Sequence, residues 1–210
     1  MAVKEQASTA PAATFAAATE TLRSTVKWLL AASAGVGGLL VAGLQLTSLG
    51  SLSLTAWRLW VAVGGVLLAV GGVAYLILRT SQILTNEWIT LAQLSVDDFQ
   101  AQLDGQTSDR PVLQEIEVFK HELYAHVAED VQQLYRRLIQ ANEVVRTAGA
   151  GELDLRGAAE LRAAAENVVQ YANYSETRTR FKALGQQFAY AAAAIVVGVL
   201  LFAYAANPAG

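Results

Sequence analysis

Residues 59–78 read LWVAVGGVLLAVGGVAYLIL, an apolar stretch of twenty residues without a charge that lies between Arg58 and Arg79. A helix of about this length rises roughly 30 Å, which matches the hydrocarbon core of a bilayer. A helix also satisfies all of its own backbone hydrogen-bonding groups in that environment. The stretch therefore predicts a membrane-spanning helix, and the rest of the chain is interpreted around it.

The composition agrees with a membrane protein. The 210 residues are 54% hydrophobic and 16% charged, whereas about a quarter of the residues in a soluble domain are charged. The chain has no cysteine, which excludes disulfides, thiolate metal sites and cysteine nucleophiles. Arginine outnumbers lysine eleven to four, a bias typical of GC-rich bacterial genomes.

Two more apolar blocks, residues 28–47 and 187–206, are long enough to span a bilayer. The serine-rich linker at residues 48–56 joins the first block to the opening stretch, so residues 28–79 are predicted to form a transmembrane hairpin. A cleaved signal peptide is the alternative for the first block, but its apolar run is longer than the apolar core of a typical signal peptide, about 7 to 15 residues. Residues 183–210 are predicted to be a third span with a short extracytoplasmic tail.

The amino-terminal residues precede the first span. Residues 1–13 are small and polar and include a proline, so we expect a disordered tail. Phe15, Leu22 and Val26 share one helical face, which predicts a short amphipathic lead-in to the membrane that ends at Lys27.

Charge and aromatic residues predict the topology. Counting basic residues near the spans places the amino terminus and residues 80–182 in the cytoplasm. Aromatic residues lie near the ends of the spans, as they do at membrane interfaces. The prediction is a multi-pass protein of the bacterial inner membrane.

Residues 80–182 are predicted to be a cytoplasmic helical region. The second span continues past Arg79 toward Trp88, and Ser95 and Asp98 have capping-box spacing for a short helix that ends near Gly105. Residues 111–148 carry an apolar stripe at steps of three and four, which predicts one helix about 57 Å long. After a turn at residues 149–151, a second helix continues into the third span. Together they predict an antiparallel hairpin with the character of a coiled coil.

Small residues recur on one face of each of the first two spans. Such faces let helix backbones approach closely in lipid. The partner is either another span of the same chain or a second copy in a homo-oligomer. The predicted helix-packing residues are Ala34, Gly38, Ala42, Ala62, Gly65, Ala69 and Gly72.

The polar residues give little sign of catalysis. His121 and His126 are five residues apart, so their side chains point in different directions from a helix, unlike the ligands of a zinc protease. Residues 80–182 contain ten basic and sixteen acidic residues, a balance that argues against nucleic-acid binding. No cofactor, metal or catalytic residue is predicted. Arg178, Arg180 and Lys182 directly precede the third span and are predicted to contact lipid headgroups.

Two resemblances accompany these residues. The ending FAYAANP, residues 202–208, resembles the ends of actinobacterial multi-span membrane proteins that have a helical cytoplasmic part. The order of two spans followed by cytosolic helices is similar to the SLATT-type effectors of bacterial nucleotide-signalled defence systems, although the third span departs from that pattern. The first resemblance implies no activity, and the second implies a membrane-perturbing effector.

The sequence thus predicts an all-α integral membrane protein with three transmembrane helices and a cytoplasmic helical hairpin. The expected function is a scaffold or adaptor that binds protein partners or itself, without enzymatic activity. The alternative is a membrane-perturbing effector or channel that oligomerises through its glycine-rich spans.

Overall fold

The computed structural model describes residues 10–45, 57–85, 88–106, 108–147 and 151–206, and these residues are helical apart from short connections. The described part of the chain is therefore all-α, as the sequence predicts. The helices are α1 (Ala10–Gln45), α2 (Trp57–Leu84), α3 (Leu91–Asp104), α4 (Pro111–Val118), α5 (Lys120–Leu123), α6 (Val131–Thr147) and α7 (Glu152–Ala206).

The chain divides into two compact units. Unit 1 comprises Met1–Thr21 and Glu87–Arg178, and unit 2 comprises Leu22–Asn86 and Thr179–Gly210. Both α1 and α7 contribute residues to each unit. Residues 152–206 form one uninterrupted helix, as expected from the lack of a proline or turn cluster before the third apolar block.

Unit 2 packs α2 antiparallel to α7. Trp57, at the start of α2, has its ring 6.4 Å from that of Tyr204, near the end of α7. Further along, Gly72 of α2 faces Ile195 of α7. Residue numbers thus increase along α2 in the direction in which they decrease along α7, which makes the two helices antiparallel. A Cβ at Gly37 of α1 would lie 3.0 Å from Val73 of α2. Val26 of α1 belongs to a small apolar cluster with Leu184, Leu29, Leu84 and Phe181.

Two helices of the described part of the chain are long and apolar enough to cross a membrane. They are Trp57–Gln82 and Glu152–Ala205. The first predicted span, residues 28–47, extends beyond Gln45, and its side chains at residues 39–45 also lie outside the described residues.

Unit 1 has a hydrophobic core of its own, to which the start of α1 contributes. Phe15 packs at 5.2 Å, edge to face, on Tyr171 of α7, and its ring also lies 5.7 Å from that of Tyr174. The lead-in prediction is therefore wrong for Phe15, because its ring packs on a helical core. The predicted disordered tail is likewise wrong for residues 10–13, which are helical; residues 1–9 lie outside the described residues.

The buried core of unit 1 comprises Ile89, Leu91, Leu94, Val112, Leu113, Ile116, Leu123, Tyr124, Ala128, Val131, Leu134, Ala164, Ala165, Val168, Tyr171 and Ala172.

The predicted single helix over residues 111–148 is wrong, because the structure divides it into α4, α5 and α6. Asp130 directly precedes α6, and its side chain accepts a hydrogen bond of 2.6 Å from the backbone N–H of Gln133. The Gln133 side chain in turn accepts from the backbone N–H of Glu129 at 2.8 Å. These bonds satisfy amides that a helix start leaves open, as a capping box does. The break brings Leu123, Tyr124 and Ala128 into the core, so the predicted hairpin has a broken first arm.

Two other predicted boundaries move. Helix α3 starts at Leu91 rather than at Ser95, which is buried within it and donates to the carbonyl of Ala92. Its predicted end near Gly105 is confirmed, since Gly105 adopts the left-handed conformation with φ 61°. Helix α2 ends at Leu84, so its predicted continuation to Trp88 stops short.

Candidate functional site: helix α3 and the acidic surface around it

Helix α3 has both of its ends fixed by local hydrogen bonds. The Thr90 side chain accepts from the backbone N–H of Gln93, and the Gln93 side chain accepts from the backbone N–H of Thr90 at 2.9 Å, which makes a capping box. At the other end, the backbone N–H of Gly105 donates to the carbonyl of Gln102. Glycine suits this position because its φ is positive. The 14 residues of α3 therefore form a helix whose start and end are both fixed.

The segment before α3 is held by a buried side chain of α7. The amide of Asn173 accepts from the backbone N–H of Ile89 at 3.0 Å and donates to the carbonyl of Ile89 at 3.1 Å. The same amide nitrogen lies 2.8 Å from the carbonyl of Val169. One side chain thus pairs with both backbone groups of the residue that precedes the α3 cap.

The inner face of α3 packs on α6. Leu91 and Leu94 are buried, and the Asp98 carboxylate accepts from the backbone N–H of Gln132 at 3.1 Å. Asp98 therefore satisfies an open amide in the first turn of α6, where a negative charge is favourable. Burial nevertheless raises the pKa of the Asp98 carboxyl; the Gln132 bond opposes this rise, whereas nearby Asp130 and Glu117 add to it.

An open depression of about 660 Å³ lies between α3 and the α5–α6 connection. Its lining includes four carboxylates, from Asp98, Glu117, Glu129 and Asp130. Tyr124 is buried at its edge and donates to Glu117 at 3.2 Å. Burial, followed by the charge of Glu117, raises the pKa of the Tyr124 hydroxyl, which therefore stays protonated as a donor. Two of the four carboxylates already cap α6.

The outer side of α3 exposes large apolar side chains. Val96, Phe99 and Leu103 are 55%, 44% and 69% exposed, and they follow one another at steps of three and four residues. Residues with this spacing lie on one side of a helix. We call these three residues the α3 apolar face. Unit 1 thus leaves a contiguous apolar face outside its own core.

The surroundings of this face are acidic. Helix α3 has neither lysine nor arginine, and of its three aspartates only Asp98 lies on the inner face, where it caps α6. Asp97 pairs with Arg110 at 2.7 Å, while Asp104 and Asp109 are exposed. The charge distribution therefore favours a positively charged ligand over a negatively charged one.

The predicted packing residues of α2 lie against α7. Ala62 and Ala69 are buried, and a Cβ at Gly65 would lie 2.6 Å from the carbonyl oxygen of Gly198. A Cβ at Gly72 would lie 2.8 Å from Ile195. Sequence reasoning missed Gly198, although its position in the third apolar block offered the same small-residue signal.

The predicted packing residues of α1 are placed differently. Ala34 is exposed, and a Cβ at Gly38 would meet nothing within 4 Å, whereas Ser33 is buried and Gly37 faces Val73. The side chain of Ala42 lies outside the described residues. On α1 the contact thus involves the positions directly before the predicted ones.

The remaining predicted positions lie on exposed surfaces. Arg178, Arg180 and Lys182 are exposed on α7, where that helix passes from unit 1 to unit 2. His121 and His126 are also exposed. The described residues contain no group of three or more histidine, aspartate or glutamate side chains suited to hold a metal ion.

Comparison with known proteins identifies no relative of this chain. No protein-family model, curated protein or solved structure matches the chain. Function is therefore inferred from the residues and their geometry alone.

Proposed function

We propose that the chain is a membrane-anchored adaptor of the bacterial inner membrane. Three spans hold a cytoplasmic, acidic helical unit at the bilayer, and this unit binds a protein partner through the α3 apolar face. The proposal includes no catalytic step; Asn173, Asp98 and Asp130 serve structural hydrogen bonds at the helix starts and in the core.

Contacts at both ends of the apolar helices support three spans. Phe15, near the start of α1, packs on Tyr171 of unit 1, which supports a start of α1 on the same side of the membrane as that unit. Gly37 lies against Val73 of α2, which supports α1 crossing beside α2. Trp57 and Tyr204 meet at the opposite ends of α2 and α7, where paired aromatic residues suit an interface. The exposed Arg178, Arg180 and Lys182 suit the cytoplasmic headgroups.

The observation that carries the adaptor proposal is the α3 apolar face. Val96, Phe99 and Leu103 are exposed and do not belong to the cluster of sixteen buried core residues described for unit 1. Contiguous exposed apolar side chains rimmed by polar residues are typical of protein interaction surfaces. The face also lies on a helix with fixed ends, which reduces the entropy lost when a partner binds.

The alternative, an oligomerising effector or channel, is less well supported. It needs the small-residue face of α2 to be free for a second copy. Gly65 and Gly72 instead lie against Gly198 and Ile195 of the same chain. We therefore favour the adaptor.

Site-specific photocrosslinking in cells tests the adaptor proposal. A photoreactive amino acid at Phe99 or Leu103 should give a discrete crosslinked product with a second protein. The same amino acid at exposed Gln140 on α6 serves as the control. Products that are absent at Phe99 and Leu103, or that are equal at all three positions, would count against a partner at this face.

A further inference from the structure

We infer that the occupant of the α3 apolar face is a cationic amphipathic helix, a protein segment with a row of apolar residues flanked by lysine or arginine. This inference rests on the proposed function and adds the chemistry of the partner. It follows from the spacing of the face and from the charges around it.

The geometry of the face favours a helical partner. From Val96 to Leu103 the helix rises about 10 Å in two turns. Side chains at such steps form a ridge that packs into the groove of a second helix. A partner helix with apolar residues at steps of three and four would meet all three side chains, which is how amphipathic helices bind apolar surfaces.

The charges around the α3 apolar face favour a partner that carries positive charge. Asp104 directly follows Leu103, and Asp109 lies in the connection after α3; both are exposed. The only cation of the described segment 88–110 is Arg110, and it pairs with Asp97. Lysine or arginine beside the apolar row would therefore meet carboxylates, which speeds association and excludes acidic competitors.

The same charges argue against a bilayer as the occupant. Helices that lie on anionic membranes place lysine and arginine at their polar edges. Helix α3 has no lysine or arginine, and the exposed charge beside Leu103 is the carboxylate of Asp104. The basic residues that precede the predicted spans lie elsewhere in the chain, at Arg23, Lys27, Arg58, Arg178, Arg180 and Lys182.

Peptide binding to the full chain tests the inference. The chain is held in a zwitterionic detergent, and the probes are three fluorescent peptides of about 14 residues, matching the length of α3. One is an amphipathic leucine–lysine helix, the second replaces each lysine by glutamate, and the third replaces each leucine by glutamine. We expect binding of the leucine–lysine peptide alone, with an affinity that falls as salt is added.

Two variants and a matched control locate the binding. Phe99→Ser with Leu103→Ser should weaken binding by about tenfold or more, because the apolar contact is lost. Asp104→Asn with Asp109→Asn should weaken it about two- to fivefold, as expected for exposed charge pairs. Ile139→Ser with Val144→Ser removes two side chains of α6 that are 50% and 49% exposed and should leave binding unchanged. Circular dichroism checks that each variant keeps its helix content.

Each contrary result overturns the inference. Equal binding of the lysine and glutamate peptides removes the charge argument, and equal binding by the Phe99 and Leu103 double variant removes the site. If the face instead carries a bilayer, anionic vesicles will bind the chain in a way that depends on Phe99 and Leu103. A crosslink at Phe99 in cells without peptide binding leaves the adaptor standing and rejects the cationic helix. If neither a crosslink at Phe99 nor peptide binding is found, both the adaptor proposal and the cationic helix are rejected.

Discussion

Asn173 is the residue on which the position of α3 depends most directly. Its amide pairs with both backbone groups of Ile89, and the side chain is 5% exposed. Sequence reasoning did not single it out, because an asparagine within a long helix gives no signal of its partner 84 residues away. Its role becomes apparent only when the fold places α7 beside the segment that precedes α3.

Replacing Asn173 with alanine should destabilise unit 1 by about 2–4 kcal/mol, because two buried backbone groups lose their partner. Asn142→Ala is the control, since Asn142 is an exposed asparagine that accepts from Arg162 at 2.6 Å; its loss should cost about 1 kcal/mol or less. Denaturant unfolding in detergent, followed by circular dichroism, measures both. Equal losses would show that the Ile89 pairing adds nothing beyond a surface contact.

Asp98 makes stability depend on pH. Burial raises the pKa of its carboxyl above the ordinary 3.8, so the folded chain holds this proton more tightly than the unfolded chain. Between 3.8 and the raised value the folded state binds more protons, and the contribution of Asp98 to stability falls as pH rises through this window.

Asp98→Asn removes that titration and keeps an oxygen that can accept from the N–H of Gln132. We therefore expect the stability of the variant, relative to the native chain, to increase as pH is raised from about 3 to about 6. Solvent around this half-buried carboxyl screens the effect, so the increase should be below ~1.4 kcal/mol for each unit by which the pKa is raised. Asp104→Asn controls for the loss of one exposed carboxylate. A difference that stays constant over this range, or that shrinks, would contradict the expected direction.

At the scale of elements, the apolar stripe over residues 112–145 predicted helix correctly but not the number of helices. The apolar residues keep their spacing of three and four through the break, because the residues before and after it belong to the same hydrophobic core. The signal that was missed is Asp130 followed by Gln133, which start α6 by hydrogen bonding. When two capping residues lie within a regular apolar pattern, the pattern predicts a continuous helix and the caps are easily overlooked. The tertiary packing of Leu123 and Tyr124 decides in favour of the break.

The backbones of α2 and α7 approach each other closely at Gly65 and Gly198. Cβ atoms built at Gly65 and Gly198 would lie 2.6 Å and 2.5 Å from the carbonyl oxygen of the facing glycine. Such an approach requires glycine on both helices, as in small-residue packing of membrane helices. The sequence predicted the α2 side of this contact by spacing, but the partner helix could not be chosen without the fold.

Gly65→Ala should destabilise the chain by about 1–3 kcal/mol, because the added methyl group forces the two backbones apart. Gly64→Ala is a matched control one residue away, since a Cβ there meets nothing within 4 Å. It should be neutral or stabilising by about 0.5–1 kcal/mol through higher helix propensity. Thermal unfolding in detergent separates the two, and equal melting temperatures would show that the α2 face does not pack on α7.

At the scale of the whole molecule, apolar blocks and charge predicted an all-α chain with membrane-spanning helices. They did not predict that the start of α1 belongs to unit 1. Phe15 looks like an interfacial residue in sequence because it precedes a basic pair and an apolar block. Its contact with Tyr171 and Tyr174 depends on residues more than 150 positions away, which periodicity cannot connect. The α3 apolar face was missed for a related reason, since exposure depends on which side the core occupies.

The contact of Phe15 with Tyr171 leads to a test of the three-span topology. If α1 crosses the membrane beside α2, Ser8 and unit 1 are cytoplasmic and Ser51 is outside. The chain has no cysteine, so Ser8→Cys, Gln140→Cys and Ser51→Cys each provide a single labelling site. A membrane-impermeant maleimide applied to intact inner-membrane preparations with the outer face exposed should label Ser51→Cys alone. Permeabilised membranes should label all three. Labelling of both Ser8→Cys and Ser51→Cys from outside would mean that α1 does not cross. Labelling of Ser8→Cys and Gln140→Cys, but not of Ser51→Cys, would reverse the positive-inside orientation.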